Sequence, residues 1–139
     1  MKIYTYSLFI FGVLTVLIAI PWVSQPAGAA QDSVPPVVVV SETRCGWFVN
    51  PTPANAWLTD AQGEWIIGVQ GGYQAEGDWP EFKDSQWVKT NNNYGYGCAC
   101  MKVNVNKSDE KILNIISSYA KALSACRKDK ALKRKEPKD

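Results

Sequence analysis

The chain has 139 residues, with 15 Lys and Arg against 13 Asp and Glu, four Cys, six Trp and no His. That size fits one domain and excludes a large multidomain enzyme. Without histidine, no mechanism can use imidazole as general base, as zinc ligand or as the middle of a catalytic triad.

The first thirty residues read as an export signal. Met1 and Lys2 give a positive start, Leu8 to Ile20 is apolar apart from Gly12 and Thr15, and Pro26-Ala27-Gly28-Ala29-Ala30 offers small residues for cleavage. The uncharged run from Ile3 to Val23 would span a bilayer if retained. Pro21 and the small-residue tail favour cleavage, and no Cys precedes Cys45 to carry a lipid. The expectation is therefore a periplasmic or secreted protein, with no stable membrane anchor after cleavage and no nucleic-acid partner. Beyond residue 30 there are 14 basic and 13 acidic groups, unevenly spread. Cys45 to Cys100 holds six acids against two bases, and residues 101–139 hold eleven bases against five acids.

Residues 31–43, with Pro35-Pro36 and a valine run, read as an extended lead-in whose valines dock as an edge strand. A single disulfide-stapled domain is expected over 44–132. Its first strand is Arg44 to Val49, interrupted by Pro51-Thr52-Pro53. Ala56 to Thr59 and Glu64 to Gln70 then form a hairpin around Asp60-Ala61-Gln62-Gly63. Gly71 to Glu81, with Gly71, Gly72, Gly77 and Pro80, reads as an exposed loop. Ser85 to Thr90 and Tyr96 to Val105 are two further strands joined through Asn91-Asn92-Asn93 and Gly95.

After Asn106 two readings compete. Ile112, Ile115, Ile116, Tyr119 and Leu123 recur at the helical period, with Ser108 as N-cap. Against a helix over 109–122, Ile112 to Ile116 is short and β-branched, and Val103 and Val105 precede a polar turn that would pair it. We favour a strand from about Ile112 to Ser117, then a short helix around Ser124 to Leu132. Residues 133–139, with Lys133-Arg134-Lys135 and Pro137, read as a solvated basic tail. The fold class expected is mainly β (α+β), a small antiparallel sheet domain with a short C-terminal helical segment and two disulfides.

All four cysteines, Cys45, Cys98, Cys100 and Cys126, lie in the exported part, where an even count implies two disulfides. Cys98 and Cys100 share one face of an extended segment, about 6.5–7 Å apart along the strand, which disfavours bonding to each other. Two pairings remain: Cys45 with Cys98 and Cys126 with Cys100, or the exchange. Each bridge contributes about 3–4 kcal/mol in the chain-entropy account. A Cu(I) site on Cys98-Ala99-Cys100-Met101 is the competing reading, weakened by the oxidising compartment and the missing histidine. No metal and no cofactor are expected.

Arg44-Cys45-Gly46-Trp47-Phe48, Asn50-Pro51-Thr52-Pro53, Trp57-Leu58-Thr59-Asp60 with Trp65, Gly71-Gly72-Tyr73, and Tyr94-Gly95-Tyr96-Gly97-Cys98-Ala99-Cys100 carry a resemblance. With Cys126-Arg127-Lys128-Asp129 as closing motif, residues 44 to about 132 resemble a family of small secreted bacterial proteins classed as a domain of unknown function. The resemblance implies export, and a strand and loop rather than one long helix before the last cysteine. It implies no activity, ligand or catalytic residue.

Five Trp remain after export, set with Tyr73, Tyr94 and Tyr96 among Asn, Gln, Asp and Gly. The mixture suits sugar recognition, where an aromatic face packs on a pyranose ring and polar groups take its hydroxyls, and it equally suits a core built from tryptophan. Trp79, between Asp78 and Pro80, is the candidate for exposure, and Trp47, beside Cys45, the candidate for core. Paired acids such as Glu64 with Glu76, or Asp78 with Glu81, match a glycoside hydrolase only if one sits in an apolar pocket. Serine has no imidazole and no Ser-x-x-Lys partner to activate it.

The candidate binding residues are Tyr73, Glu76, Asp78, Trp79, Glu81 and Phe82. They point to a non-catalytic cell-envelope binding module with a glycan or protein partner. The alternatives are an inhibitor of a lysozyme-type cationic enzyme, held by the acidic loop Glu76 to Asp84, and, behind it, a carbohydrate-active hydrolase. The basic C-terminal run from Arg127 to Lys135 reads as solvated, with contact to anionic lipid as its functional counterpart.

Overall fold

The computed structural model describes residues 39–138. The predicted signal segment 1–30 and the first part of the lead-in lie outside them. Six strands follow in order: β1 (Val39–Thr52), β2 (Asn55–Thr59), β3 (Glu64–Gly68), β4 (Trp87–Asn91), β5 (Tyr94–Asn106) and β6 (Lys111–Lys121). A 3-10 turn (Asp84–Gln86) precedes β4, and one short helix, α1 (Leu123–Lys128), follows β6. The architecture is a mixed, mostly antiparallel sheet with one C-terminal helix, as expected.

The sheet closes on itself. β1 pairs with β2 on one side and with β5 on the other, β2 pairs with β3, and β5 pairs with β6. A parallel contact, Ile66 opposite Lys111, joins β3 to β6 and completes the ring β1-β2-β3-β6-β5. β4 lies outside this ring, on the first residues of β5. With β4 set aside, this strand order and the one parallel contact are the connectivity of an OB-type Greek-key barrel. Such connectivity places surfaces and assigns no function.

Alternation sorts each strand into an inner and an outer face. Ala99, Met101, Val103 and Val105 of β5 point inward with Phe48, Leu58, Trp65, Ile67, Ile112 and Ile115. The outward set, Trp47, Val49, Tyr96 and Cys98, is buried by a second layer that holds Cys126 of α1 and Leu132. Trp47 is the core residue it was expected to be, fully buried, with Nε1 donating to the Leu132 carbonyl at 2.9 Å.

The disulfides choose one of the two open pairings, Cys45–Cys100 and Cys98–Cys126. Cys45 stands directly opposite Cys100 in the β1–β5 ladder, while Cys98, two residues back on the same outer face, meets α1. With all four sulfurs bonded and Met101 turned into the barrel, the copper reading has no ligands.

Several boundaries differ from expectation, by one or two residues in β2, β3, β4 and β5 and by more elsewhere. β1 begins by Val39, since Val39 to Thr43 pair with Lys102 to Asn106, so part of the predicted lead-in is barrel strand. β1 also runs through Pro51, where the register with β2 slips between Val49 and Thr52, because proline has no N–H to give the ladder. α1 stops at Lys128 rather than near Leu132; the Asp129 carboxylate accepts the Ala131 N–H, a turn that competes with helix continuation. The predicted basic tail is anchored: Lys135 Nζ donates to the Asp60 carbonyl at 2.7 Å, and Glu136 pairs with Arg127 and accepts from Tyr96.

The favoured strand after Asn106 is present, and longer than predicted. β6 carries an extra residue at two points in its pairing with β5, between the partners of Asn104 and Val105 and between those of Lys102 and Val103. These bulges fall at Leu113 and Ile116 and put Ile112 and Ile115 on the same inner face three residues apart.

Candidate functional site

The segment from Val69 to Gln86 crosses one end of the barrel, and its path creates the site. Val69 N–H bonds to the Tyr73 carbonyl and Ala75 N–H to that of Ile67, so the chain doubles back along β3. Glu76 then pairs with β6, its N–H donating to Leu113 O and its carbonyl accepting from Ile115 N. At Gly77, with φ +93°, the chain leaves β6; a Cβ there would sit 2.2 Å from Ile115 O, so only glycine permits the approach.

Beyond Gly77, Trp79 and Phe82 fold back onto the barrel end. Both pack on Phe48 with ring centroids 5.7 Å away, and Phe82 lies 4.8 Å from Trp87. Phe82 reaches this place because Gly97 beneath it has no side chain; a Cβ on Gly97 would meet the Phe82 ring at 2.4 Å.

Between this loop and the end of β6 runs an open groove of about 790 Å³. Its loop wall is Asp78, Trp79, Glu81, Phe82, Lys83 and Gln86, and its strand wall is Ser118, Tyr119 and Ala120. Ser118 Oγ donates to the Asp78 carbonyl at 3.1 Å and ties the walls together at one point. On the other side of the Trp79–Phe82 ridge a smaller depression of about 370 Å³ is lined by Asn50, Asp84, Trp87, Lys89 and Asn93.

Of the six predicted binding residues, Asp78, Trp79, Glu81 and Phe82 stand together on the groove wall. Tyr73 does not: its hydroxyl donates to Ile112 O at 2.6 Å and Lys111 Nζ lies 5.3 Å from its ring centroid, so it fastens the loop to β6. Burial, and then the Glu76 carboxylate, hold the Tyr73 phenol above its usual range. Glu76 contributes its backbone to the sheet and leaves its side chain in solvent. Trp79 is half-buried rather than fully exposed, because one side of its ring is spent on Phe48.

Tyr119, the most exposed large hydrophobic side chain described, at 58 %, completes the groove and was not singled out by the sequence. No signal in the sequence marked it, since alternation from the inward Ile115 would turn Tyr119 inward too, and only the bulge at Ile116 puts it on the outer face opposite Cys100. Glu64, Glu76, Asp78 and Glu81 are all exposed, so neither acid pair has the apolar enclosure that glycoside hydrolysis asks of its proton donor. Among the described residues no group of three His, Cys, Asp or Glu is placed to hold a metal ion.

The barrel from Val39 to just past Leu132 coincides with one known sequence family, described as protein of unknown function (DUF4087), whose model matches residues 39–133. The chain belongs to the DUF4087 family. Neither a curated protein nor a solved structure matches it. In this DUF4087 chain the two disulfides indicate an oxidising, extracytoplasmic setting. Among the described residues no helix is long and apolar enough to cross a membrane.

Proposed function

We propose that the protein is an exported, non-catalytic binding module of the bacterial cell envelope, and that its ligand lies in the groove between the loop Asp78–Gln86 and the end of β6. The observation that carries this reading is the groove itself. It has the volume of a ligand site, and it sets the exposed ring of Tyr119 on one wall and the half-buried rings of Trp79 and Phe82 on the other, among the polar groups of Asp78, Glu81, Lys83 and Gln86. The apolar faces supply contact area and the polar rim supplies orientation. Inhibition of a lysozyme-type cationic enzyme is a special case of the same reading, favoured by the exposed acids on the loop wall.

Tyr119→Ala tests it. The side chain is largely in solvent, so its loss changes folding stability by about 0.5 kcal/mol or less. An aromatic anchor at the centre of a binding surface is worth at least about 2 kcal/mol on truncation. The wild-type chain should therefore retain an envelope protein or an arrayed glycan that Tyr119→Ala binds about thirtyfold more weakly. Equal retention by both chains, or by neither, removes the groove from the account.

A further inference from the structure

The strand wall of the groove is also an open sheet edge. Along its first part β6 is paired on both sides, with β5 on one and with Ile66 and Glu76 on the other. The loop turns away at Gly77, and from Ser117 to Lys121 the side of β6 opposite β5 has no backbone partner among the described residues. Unpaired edge groups of this kind template the addition of another strand. An added strand would continue the line that residues 74–76 begin, about 4.8 Å from β6.

The groove also carries a charge preference. Asp78 and Glu81 line it, and Glu76 and Asp84 stand outside it on the same loop; all four are exposed, and among the described residues none of them makes an ion pair, whereas Glu42, Asp60 and Glu136 each do. Lys83 is the one base within that run. Two copies of this chain joined edge to edge would bring these carboxylates together, which disfavours self-association and favours a cationic occupant.

We propose that the groove takes an extended cationic polypeptide segment of a partner protein, added as a further strand along the outer edge of Ser117–Lys121. This names the ligand class of the binding-module reading and rests on it. Backbone hydrogen bonds to β6 hold the segment, its basic side chains meet Asp78 and Glu81, and its alternate apolar side chains lie toward Trp79 and Tyr119.

The probe is a ten-residue peptide alternating Lys and Val, added to the isotope-labelled full chain and followed by amide NMR. The parent peptide should shift the amides of Ser117 to Lys121 and protect them from exchange. Methylating every second peptide nitrogen keeps the charge and removes the edge hydrogen bonds, and should weaken binding at least about tenfold. Asp78→Lys with Glu81→Lys, both exposed, should weaken the parent peptide by about tenfold as well. Equal binding of the methylated peptide, perturbations away from residues 117–121, or dimerisation through this edge overturns the proposal. A glycan bound in a Tyr119-dependent way, with no peptide binding, overturns strand addition and leaves the binding-module reading standing; binding of neither removes both.

Discussion

Asp60→Ala should lower the unfolding free energy by about 3–5 kcal/mol, measured by urea denaturation, a large part of a typical domain's total. Asp60 is 5 % exposed and serves two neighbours at once. One carboxylate oxygen accepts the N–H groups of Gln62 and Gly63, at 2.7 and 3.0 Å, and shapes the β2–β3 turn. The other pairs with the buried Arg44, whose guanidinium also bonds Glu42 and Gln62 and lies 3.4 Å from the centre of the Trp65 ring. Alanine leaves Arg44 inside the barrel with half of its counter-charge and leaves two turn donors to find water. Asp60→Asn keeps the acceptor for the turn and removes only one of the two counter-charges of Arg44, so it should cost less. The double variant Arg44→Met with Asp60→Asn should recover much of the loss, because no uncompensated charge stays buried. A cost below about 1 kcal/mol for Asp60→Ala would mean that water reaches this end of the barrel.

Removing the Cys98–Cys126 bridge, as Cys98→Ala with Cys126→Ala, should cost about 3.6 kcal/mol on chain entropy for a separation of 28 residues. The loss should be local in character. α1 has six residues, well short of a length that holds a helix in water alone, and its Ala122 cap position makes no side-chain hydrogen bond. Once freed, α1 and the turns after it lift from Trp47 and Tyr96, and tryptophan emission shifts to the red while the inner core stays folded. Cys45→Ala with Cys100→Ala should cost about 4.2 kcal/mol on the same account for a separation of 55 residues, yet detach no segment. That bridge sits within a ladder of twelve β1–β5 pairs that holds the strands together on either side. The two variants are separated by amide exchange of residues 123–136, fast in the first and slow in the second.

Much of the barrel was legible because its strands obey local rules. The β2–β3 hairpin follows from the Asp60–Gly63 turn, and β4–β5 from the Asn-rich turn before Gly95. The shared face of Cys98 and Cys100 follows from a period of two. That same symmetry hid the disulfide partners, since both cysteines face outward and only the register of β1 on β5 puts Cys100, and not Cys98, opposite Cys45. β6 was ambiguous for a physical reason: bulges at Leu113 and Ile116 bring Ile112 and Ile115 to one face, and a spacing of three imitates a helix. The C-terminal segment looked solvated because its anchors, Lys135 on the Asp60 carbonyl and Glu136 on Arg127, join residues far apart or of ordinary surface type. The loop half of the groove showed in its composition. The β6 half did not, because Tyr119 becomes a wall only once the chain from Gly77 to Gln86 is laid beside it.

β6 ends as a strand with one edge open beside an acidic, aromatic loop. Amide hydrogen exchange of the free full-length chain, read residue by residue, tests that open edge most directly. Amides of β1, β5 and the first half of β6 should be protected, and between Ser117 and Lys121 slow amides bonded to β5 should alternate with fast ones that face away from it. Uniform protection across Ser117–Lys121 would mean that this edge is already covered, and continuous protection over 109–122 would mean a helix in place of β6; either result rules out the open edge.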